Sequence, residues 1–386
     1  MPPIPLALPT TLLLLCACAD AVTVGAPDPY AEVRLALTVD PDALPQYSQN
    51  LPAYYTPGLL AREDRTPLTN PTTNAGATLG RVLFFDRNLS RTRNVSCASC
   101  HDQALAFGDS AQFSLGIDGV SRTAAHSMRL GNARFNESAS YFWDRRAPTL
   151  EAQATQPVQD AVEMGFDAAH GGMSAVIARL DSLAYYPPLF RLAFGTAEIA
   201  ETRVQRALAQ YIRSIVAVAS RWDAAFALVP APPPGQPPNF LAPLAGFTAA
   251  ETRGQELFFR PKPQGGLGCQ GCHAAPSFSL VQNSNSNGLD AGETRIFRAP
   301  SLKDVGRSAR FMHDGRFTSL TQVVDFYLDG VQAGPALDTR LMGPGGEPQR
   351  INLSPTDRAA LVAFLRTLDD QALPSDPRFS DPFRRP

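Results

Sequence analysis

Two pentapeptides constrain this chain more than anything else in it: Cys97-Ala98-Ser99-Cys100-His101 and Cys269-Gln270-Gly271-Cys272-His273. Each is a C-x-x-C-H motif. Two residues between the cysteines let one turn of backbone present both sulfurs to the vinyl carbons of a single porphyrin. The next residue places an imidazole under the iron, so the pattern reads as haem c attachment. Two other readings use the same residues. The four cysteines could close an all-thiolate zinc site, but the histidine after each pair would then have no task, and pairs from opposite halves of the chain would have to meet. A thioredoxin-like dithiol does not explain why the motif occurs twice with His after each. The motifs therefore predict two covalently bound haem c groups, on Cys97, Cys100 and His101 and on Cys269, Cys272 and His273. Both histidines are then iron ligands. Function turns on the sixth position of each iron: filled by protein, the haem transfers electrons; open, it can bind and activate peroxide or oxygen.

The other two of the six cysteines stand in Cys16-Ala17-Cys18, directly after Leu12-Leu13-Leu14-Leu15. A short apolar run ending in small residues reads as a secretory leader, and Leu15-Cys16-Ala17-Cys18 has the form of a lipobox. Residues 1–18 are expected to be removed, with export to the periplasm or cell envelope and lipidation of Cys18 as the membrane attachment. No Lys or Arg precedes the run. Lys plus Arg number 34 against 36 Asp plus Glu; this near balance argues against nucleic acid as a partner, which would call for a basic excess.

Along the chain, residues 19–70 read as an irregular extension, 71–229 as a first globular region and 240–372 as a second. Between them, 230–239 is a linker, because Pro230, Pro232, Pro233, Pro234, Pro237 and Pro238 cannot continue a helix. Residues 373–386 read as a loose tail. The halves echo one another: Gly80-Arg81-Val82-Leu83-Phe84-Phe85 precedes the first motif and Gly254-Gln255-Glu256-Leu257-Phe258-Phe259 the second. Thr248 to Glu251 forms a capping box. Ser354-Pro355 is an N-cap followed by proline at the first helical position. Leu361, Phe364, Leu365 and Leu368 make one apolar helical face, as do Ala207, Leu208, Tyr211, Ile212 and Ile215. Strand signals are scarce, so the fold class is mainly α.

Leu79-Gly80-Arg81, Phe84-Phe85-Asp86, Leu89-Ser90 and the first haem motif, taken with Phe142-Trp143-Asp144-Arg145-Arg146-Ala147, Val162-Glu163-Met164-Gly165, Arg298-Ala299-Pro300-Ser301-Leu302 and Met312-His313-Asp314-Gly315-Arg316-Phe317, resemble the bacterial dihaem cytochrome c peroxidase and MauG family in order from about 75 to 368. The resemblance implies two cytochrome c-like domains and a peroxide-reacting N-terminal haem. It implies that Glu163 is the distal acid–base group, with Gln153 and Pro157 in the same pocket. Breaking the O–O bond requires a proton to move between the two oxygens, which a positioned carboxyl can do; taken without the family frame, Glu163 is an ordinary solvated carboxylate. Trp143 matches a tryptophan between the haems, with Asp144 and Arg145 fixing its setting; the plain alternative is a core aromatic.

At the second haem the peroxidase branch uses a methionine as sixth ligand. The matching residue here is Tyr327, as in MauG, and tyrosinate favours ferric iron where methionine raises the potential. Met312 and Met342 remain the alternative donors. Ile117 replaces the histidine of a loop that blocks the first haem in many peroxidases, which implies an open haem at rest. His126 stands where the family's interdomain calcium takes an asparagine; imidazole suits that hard cation poorly, which argues against calcium, although backbone carbonyls near Ser308 and Arg310 could contribute. His313 is expected near the second haem and His170 on the surface. The chain is thus expected to reduce hydrogen peroxide with electrons from a small redox protein or from residues of a partner protein. The rival reading is an electron-transfer cytochrome with both irons closed; Glu163, Gln153 and Ile117 favour the enzyme.

Overall fold

The computed structural model describes residues 1–3, 28–48, 50–138, 140–233 and 236–384. The apolar run, Cys16 and Cys18 lie outside the described residues. The helices are α1 (Ala31–Ala36), α2 (Pro57–Glu63), α3 (Asn74–Phe85), α4 (Leu150–Ala154), α5 (Gly172–Asp181), α6 (Tyr186–Phe194), α7 (Glu201–Ser214), α8 (Arg221–Phe226), α9 (Ala249–Phe259), α10 (Leu320–Asp325) and α11 (Pro355–Arg366). Strands β1 (His273–Ala274) and β2 (Ser279–Leu280) form a short antiparallel pair. The mainly α expectation holds.

Each half is organised by one helix crossing that its sequence makes close. In the first, α3 packs on α7; in the second, α9 packs on α11. A Cβ on Gly80 would sit within the Ala207 carbonyl and against the Tyr211 Cβ, and a Cβ on Gly254 would meet the Ala360 carbonyl and the Phe364 Cβ in the same way. The sequence echo is therefore an echo of packing. Both helices begin on a threonine cap, Thr73 accepting from the Gly76 amide and Thr248 from the Glu251 amide. Gly254→Ala must push the helices apart, and overpacking of this kind costs about 1–3 kcal/mol. A lower urea midpoint for the two-haem protein is the expected result; a midpoint equal to the parent's would mean the crossing yields freely.

Two cores follow. The first gathers Val33, Leu79, Leu83, Phe84, Phe107, Leu208 and Tyr211, the second Trp222, Phe226, Leu257, Phe258, Phe278 and Phe364. The changeover falls between Ala217 and Trp222, ahead of the proline-rich run. Helix α8, expected in the first region, belongs to the second core: the Trp222 amide donates to the Thr367 carbonyl, and Asp223 pairs with Lys303 at 2.5 Å. Prolines mark where a helix must stop, whereas the boundary of a core is set by which apolar faces meet.

The ends also depart from expectation. Residues 373–384 are not loose. Leu373 and Phe379 are buried in the first core, with the Phe379 ring against Tyr47 and Tyr211. Leu37 bridges Phe383, and the Arg384 guanidinium donates to the Leu37 carbonyl at 2.9 Å. The extension contains α1 and α2, and it carries Tyr55, whose hydroxyl donates to the Pro276 carbonyl at 3.2 Å beside the second motif. Both end segments look irregular in sequence because their apolar anchors (Val33, Leu37, Val39, Tyr47, Leu373 and Phe379) are spaced without a single helical or strand period.

Candidate functional site

At the first motif, Cys97–Ser99 forms a 3-10 turn in which the Ser96 amide donates to the Ser99 hydroxyl at 3.0 Å. Ala106 and Phe107 take left-handed backbone (φ 54° and 61°). That bend brings the Phe107 carbonyl to the His101 Nδ1, 2.9 Å away. With Nδ1 donating there, Nε2 is left unspent. Burial lowers the His101 pKa and keeps the ring neutral, and it pushes the Cys97 thiol up to about 12 and Cys100 to about 11.

The second motif opens on Gly268 (φ 68°) and places His273 on β1. Its Nδ1 is buried and faces the Phe278 carbonyl without closing a hydrogen bond, and burial drives the imidazole down to about 4. Burial likewise lifts the Cys269 thiol to about 12. A largely apolar cavity at this motif is lined by Cys269, Cys272, His273, Leu302, Phe311, Met312, Val324, Tyr327 and Leu361, with Trp143 at its side. Neutral imidazoles with a free Nε2 and protonated thiol pairs fit a haem c at each motif, and at the second the cavity walls are apolar as well. The thiol pairs sit in separate cores, and among the described residues no three His, Cys, Asp or Glu side chains gather as metal ligands. The four-cysteine zinc reading therefore has no geometry.

A second internal repeat emerges after the motifs. Tyr141 bridges Ala147 and Phe311 bridges Phe317. Within these loops Phe142 and Arg145 have φ 67° and 61°, Met312 and Gly315 φ 71° and 64°. Arg146 pairs with Asp144 at 2.9 Å and Arg316 with Asp314 at 2.5 Å. Thr149 and Ser319 then cap α4 and α10. In this frame Trp143 and His313 are counterparts, and their rings meet edge to face at 6.4 Å. Pro157 and Tyr327 are counterparts too, each seven residues beyond the first residue of its helix. One half thus has an inert ring where the other has a phenol.

Pro157 and Glu163 line one cavity together with Phe142, Arg146, Gln156, Gln159 and Asp160. The Asp160 carboxylate accepts from the Val162 and Glu163 amides at 2.8 and 2.9 Å, closing the turn that presents Glu163. Burial, with a contribution from the Asp160 charge, raises the Glu163 pKa to about 7, against the Arg146 guanidinium. Ile117 is buried and its amide donates to the Val162 carbonyl at 2.9 Å. A Cβ on Gly165 (φ 77°) would collide with the Ile117 side chain, so this loop braces the turn. Gln153 lies on α4 and does not line this cavity; Gln156 and Gln159 do. Sequence reasoning passed over those two, and the only signal for them was their closeness to Pro157.

The Trp143 indole donates to the His126 carbonyl at 2.7 Å, and its own carbonyl accepts from the Arg298 amide at 2.8 Å, which seats it where the halves meet. Asp144 is spent on Arg146, while Arg145 donates to the Ser284 carbonyl at 3.2 Å. The His126 Nδ1 is directed at the Ala111 and Gln112 carbonyls. His313 stacks on Phe297 at 3.9 Å, and His170 is an exposed partner of Asp167. Tyr327 occupies a π-helical turn, Phe326–Gly330, and packs with Met312 and Met342 on Leu289, Phe326, Val331 and Leu337. All three donor candidates for the second haem are therefore neighbours.

Residues 74–228 match the family model described as di-haem cytochrome c peroxidase. The chain is 32% identical over 320 residues to the methylamine utilization protein MauG of Methylorubrum extorquens, spanning 78% of this chain and 80% of that one. It is 27% identical over 312 residues to the cytochrome c551 peroxidase of Pseudomonas aeruginosa, covering 75% and 77% of the two chains. In three dimensions it is similar to a crystal structure of a MauG-like protein associated with microbial copper homeostasis, with TM-score 0.69, 29% identity, and 87% and 99% of the chains covered.

Proposed function

The chain belongs to the di-haem cytochrome c peroxidase and MauG family, and from that premise we propose that it reduces hydrogen peroxide at the first haem with electrons drawn through the second. It is an oxidoreductase with two haem c groups, one in each cytochrome c-like half. The observation that carries the reading is the pairing of Pro157, a residue with no donor atom, with Glu163 in one cavity, set against Tyr327 at the repeat position of Pro157. The haem, when bound, supplies an iron with an exchangeable position and a store of redox equivalents. Glu163 takes the proton from one peroxide oxygen and hands it to the other, so that the leaving oxygen departs as water. Two electrons and two protons complete the reduction to two waters. Ile117 and Asp160 hold the Glu163 turn, and Arg146 opposes the charge-free state of the carboxyl. Trp143, seated between the halves, would relay electrons, and Tyr327 would hold the second haem through its phenol oxygen. An oxygen donor there supports the MauG-like form of the activity over that of the methionine-ligated peroxidases. The electron source is a small redox protein or residues of a partner protein. The apolar run ending at Cys18 supports export to the periplasm with a lipid anchor.

Low-temperature EPR of the ferric protein tests the proposal. A high-spin signal beside a low-spin one, both lost on adding one equivalent of hydrogen peroxide, is the expected result. Two low-spin signals that peroxide leaves untouched would restore the electron-carrier reading. Tyr327→Met should raise the midpoint potential of the second haem; an unchanged potential removes Tyr327 from the ligand set.

A further inference from the structure

Three donor side chains pack on one cluster at the second motif, and one neighbour bonds to one of them and shares a cavity with another. The Asn287 Nδ2 donates to the Met312 sulfur at 3.5 Å. The same carboxamide lines, beside the Tyr327 phenol, the cavity at the second motif. We infer that Asn287 is a positioning residue that selects the donor to the second haem: it holds the Met312 thioether aside and so leaves the site to the Tyr327 oxygen. The inference rests on the proposal that Tyr327 ligates the second haem.

The backbone around Asn287 leaves it little freedom to do otherwise. Ser286 is bridged to Leu337, and its amide donates to the Ala336 carbonyl at 2.9 Å. Gly288, at φ 68°, donates to the Ser286 hydroxyl at 3.1 Å and accepts from the Gln332 amide at 2.8 Å. The carboxamide is thus delivered by a segment fixed on both sides. Met312 is held as firmly, with left-handed backbone (φ 71°) inside the loop closed by Phe311 and Phe317. A thioether is a weak acceptor, so an amide N–H directed at it does little for the folded chain by itself. Its consequence is to orient the sulfur toward Asn287. The choice of donor then matters, because a thioether raises the potential of the iron and an anionic phenol oxygen lowers it.

The test uses the intact two-haem protein. Asn287→Leu keeps the branched shape and removes the polar contact; Asn287→Ser is too short to reach the Met312 sulfur and serves if the leucine variant does not fold. In either, the expected result is a new near-infrared thioether-to-ferric band. At fixed ambient potential, the reduced-to-oxidised ratio of the second haem should rise by about tenfold or more. Adding Met312→Leu should abolish the band. If both Asn287 variants keep the parent's spectrum and potential, the selecting role is overturned. Tyr327→Phe separates the two levels of the argument. If it leaves the parent's spectrum unaltered, the ligand assignment and the role of Asn287 both fall. If it changes the spectrum while the Asn287 variants do not, only the role of Asn287 falls.

Discussion

Glu163→Gln is expected to lower peroxide turnover by about two to four orders of magnitude, the range for loss of a positioned proton-transfer group, with both haem spectra retained. Glutamine keeps the size and the turn, because the Asp160 carboxylate caps the backbone amide of residue 163 and not its side chain. What disappears is a carboxyl whose pKa stands near 7 through burial and the Asp160 charge. The first act asked of it is to accept a proton, which requires the carboxylate. Activity of the parent should therefore rise with pH through about 7, and this limb should be missing in the variant. Stability moves the other way. A carboxyl raised from 4.5 to about 7 on folding binds more protons in the native state, so stability is present at low pH and declines as pH climbs through that window. The glutamine variant escapes this decline and should be the more stable protein at pH 8. Turnover and a pH profile matching the parent's would remove Glu163 from the mechanism.

Lys303→Met is expected to cost about 3–5 kcal/mol of stability, the usual penalty for stripping one partner from a buried ion pair. The Lys303 ammonium lies 2.5 Å from Asp223, with both side chains buried. It also stands over the rings of Trp222 and Phe278, at 4.8 and 5.6 Å. Without the cation, Asp223 keeps only neutral donors: Tyr54 at 2.8 Å and the amide and hydroxyl of Ser220 at 3.0 and 2.6 Å. Tyr54 belongs to the N-terminal extension, Asp223 to α8 and Lys303 to the second half. The loss should therefore loosen three segments together. Denaturant unfolding reads it directly, and Lys303→Met combined with Asp223→Leu should recover much of the cost, since an apolar pair of similar volume is often no worse than the ions. A single variant as stable as the parent would show the pair to be solvated in solution.

Much of this was open to reading in the chain itself. The haem motifs, the capped starts of α9 and α11 and the apolar faces of α7 and α11 declare themselves because they depend on local spacing. The Gly80 and Gly254 echo was visible as letters and proved to be a matched pair of helix crossings. The other repeat was half hidden: Asp144 and Asp314, Arg146 and Arg316, Thr149 and Ser319 match in type, but Phe142 and Met312, Trp143 and His313, Arg145 and Gly315 do not, and the shared backbone geometry is what joins them. The place of α8 and the docking of Phe379 were hidden, since each depends on which distant core offers a gap. Gln156 and Gln159 enter the Glu163 cavity because the α-helix ending at Ala154 gives way to a 3-10 turn over Pro157–Gln159, a local change of path that periodicity does not register.

The C-terminal strap has a consequence for the order of assembly. Phe379, whose ring closes the first core, lies 279 residues beyond Cys100. A chain made from its N-terminus therefore exposes Cys97 and Cys100 long before their own domain can be completed. The second motif waits far less, since α11 ends 94 residues after Cys272. Until the strap arrives, the first core lacks the Leu373 and Phe379 side chains that complete it. Residues 373–384 are thus the last part of the first core to be made, after the whole of the second half.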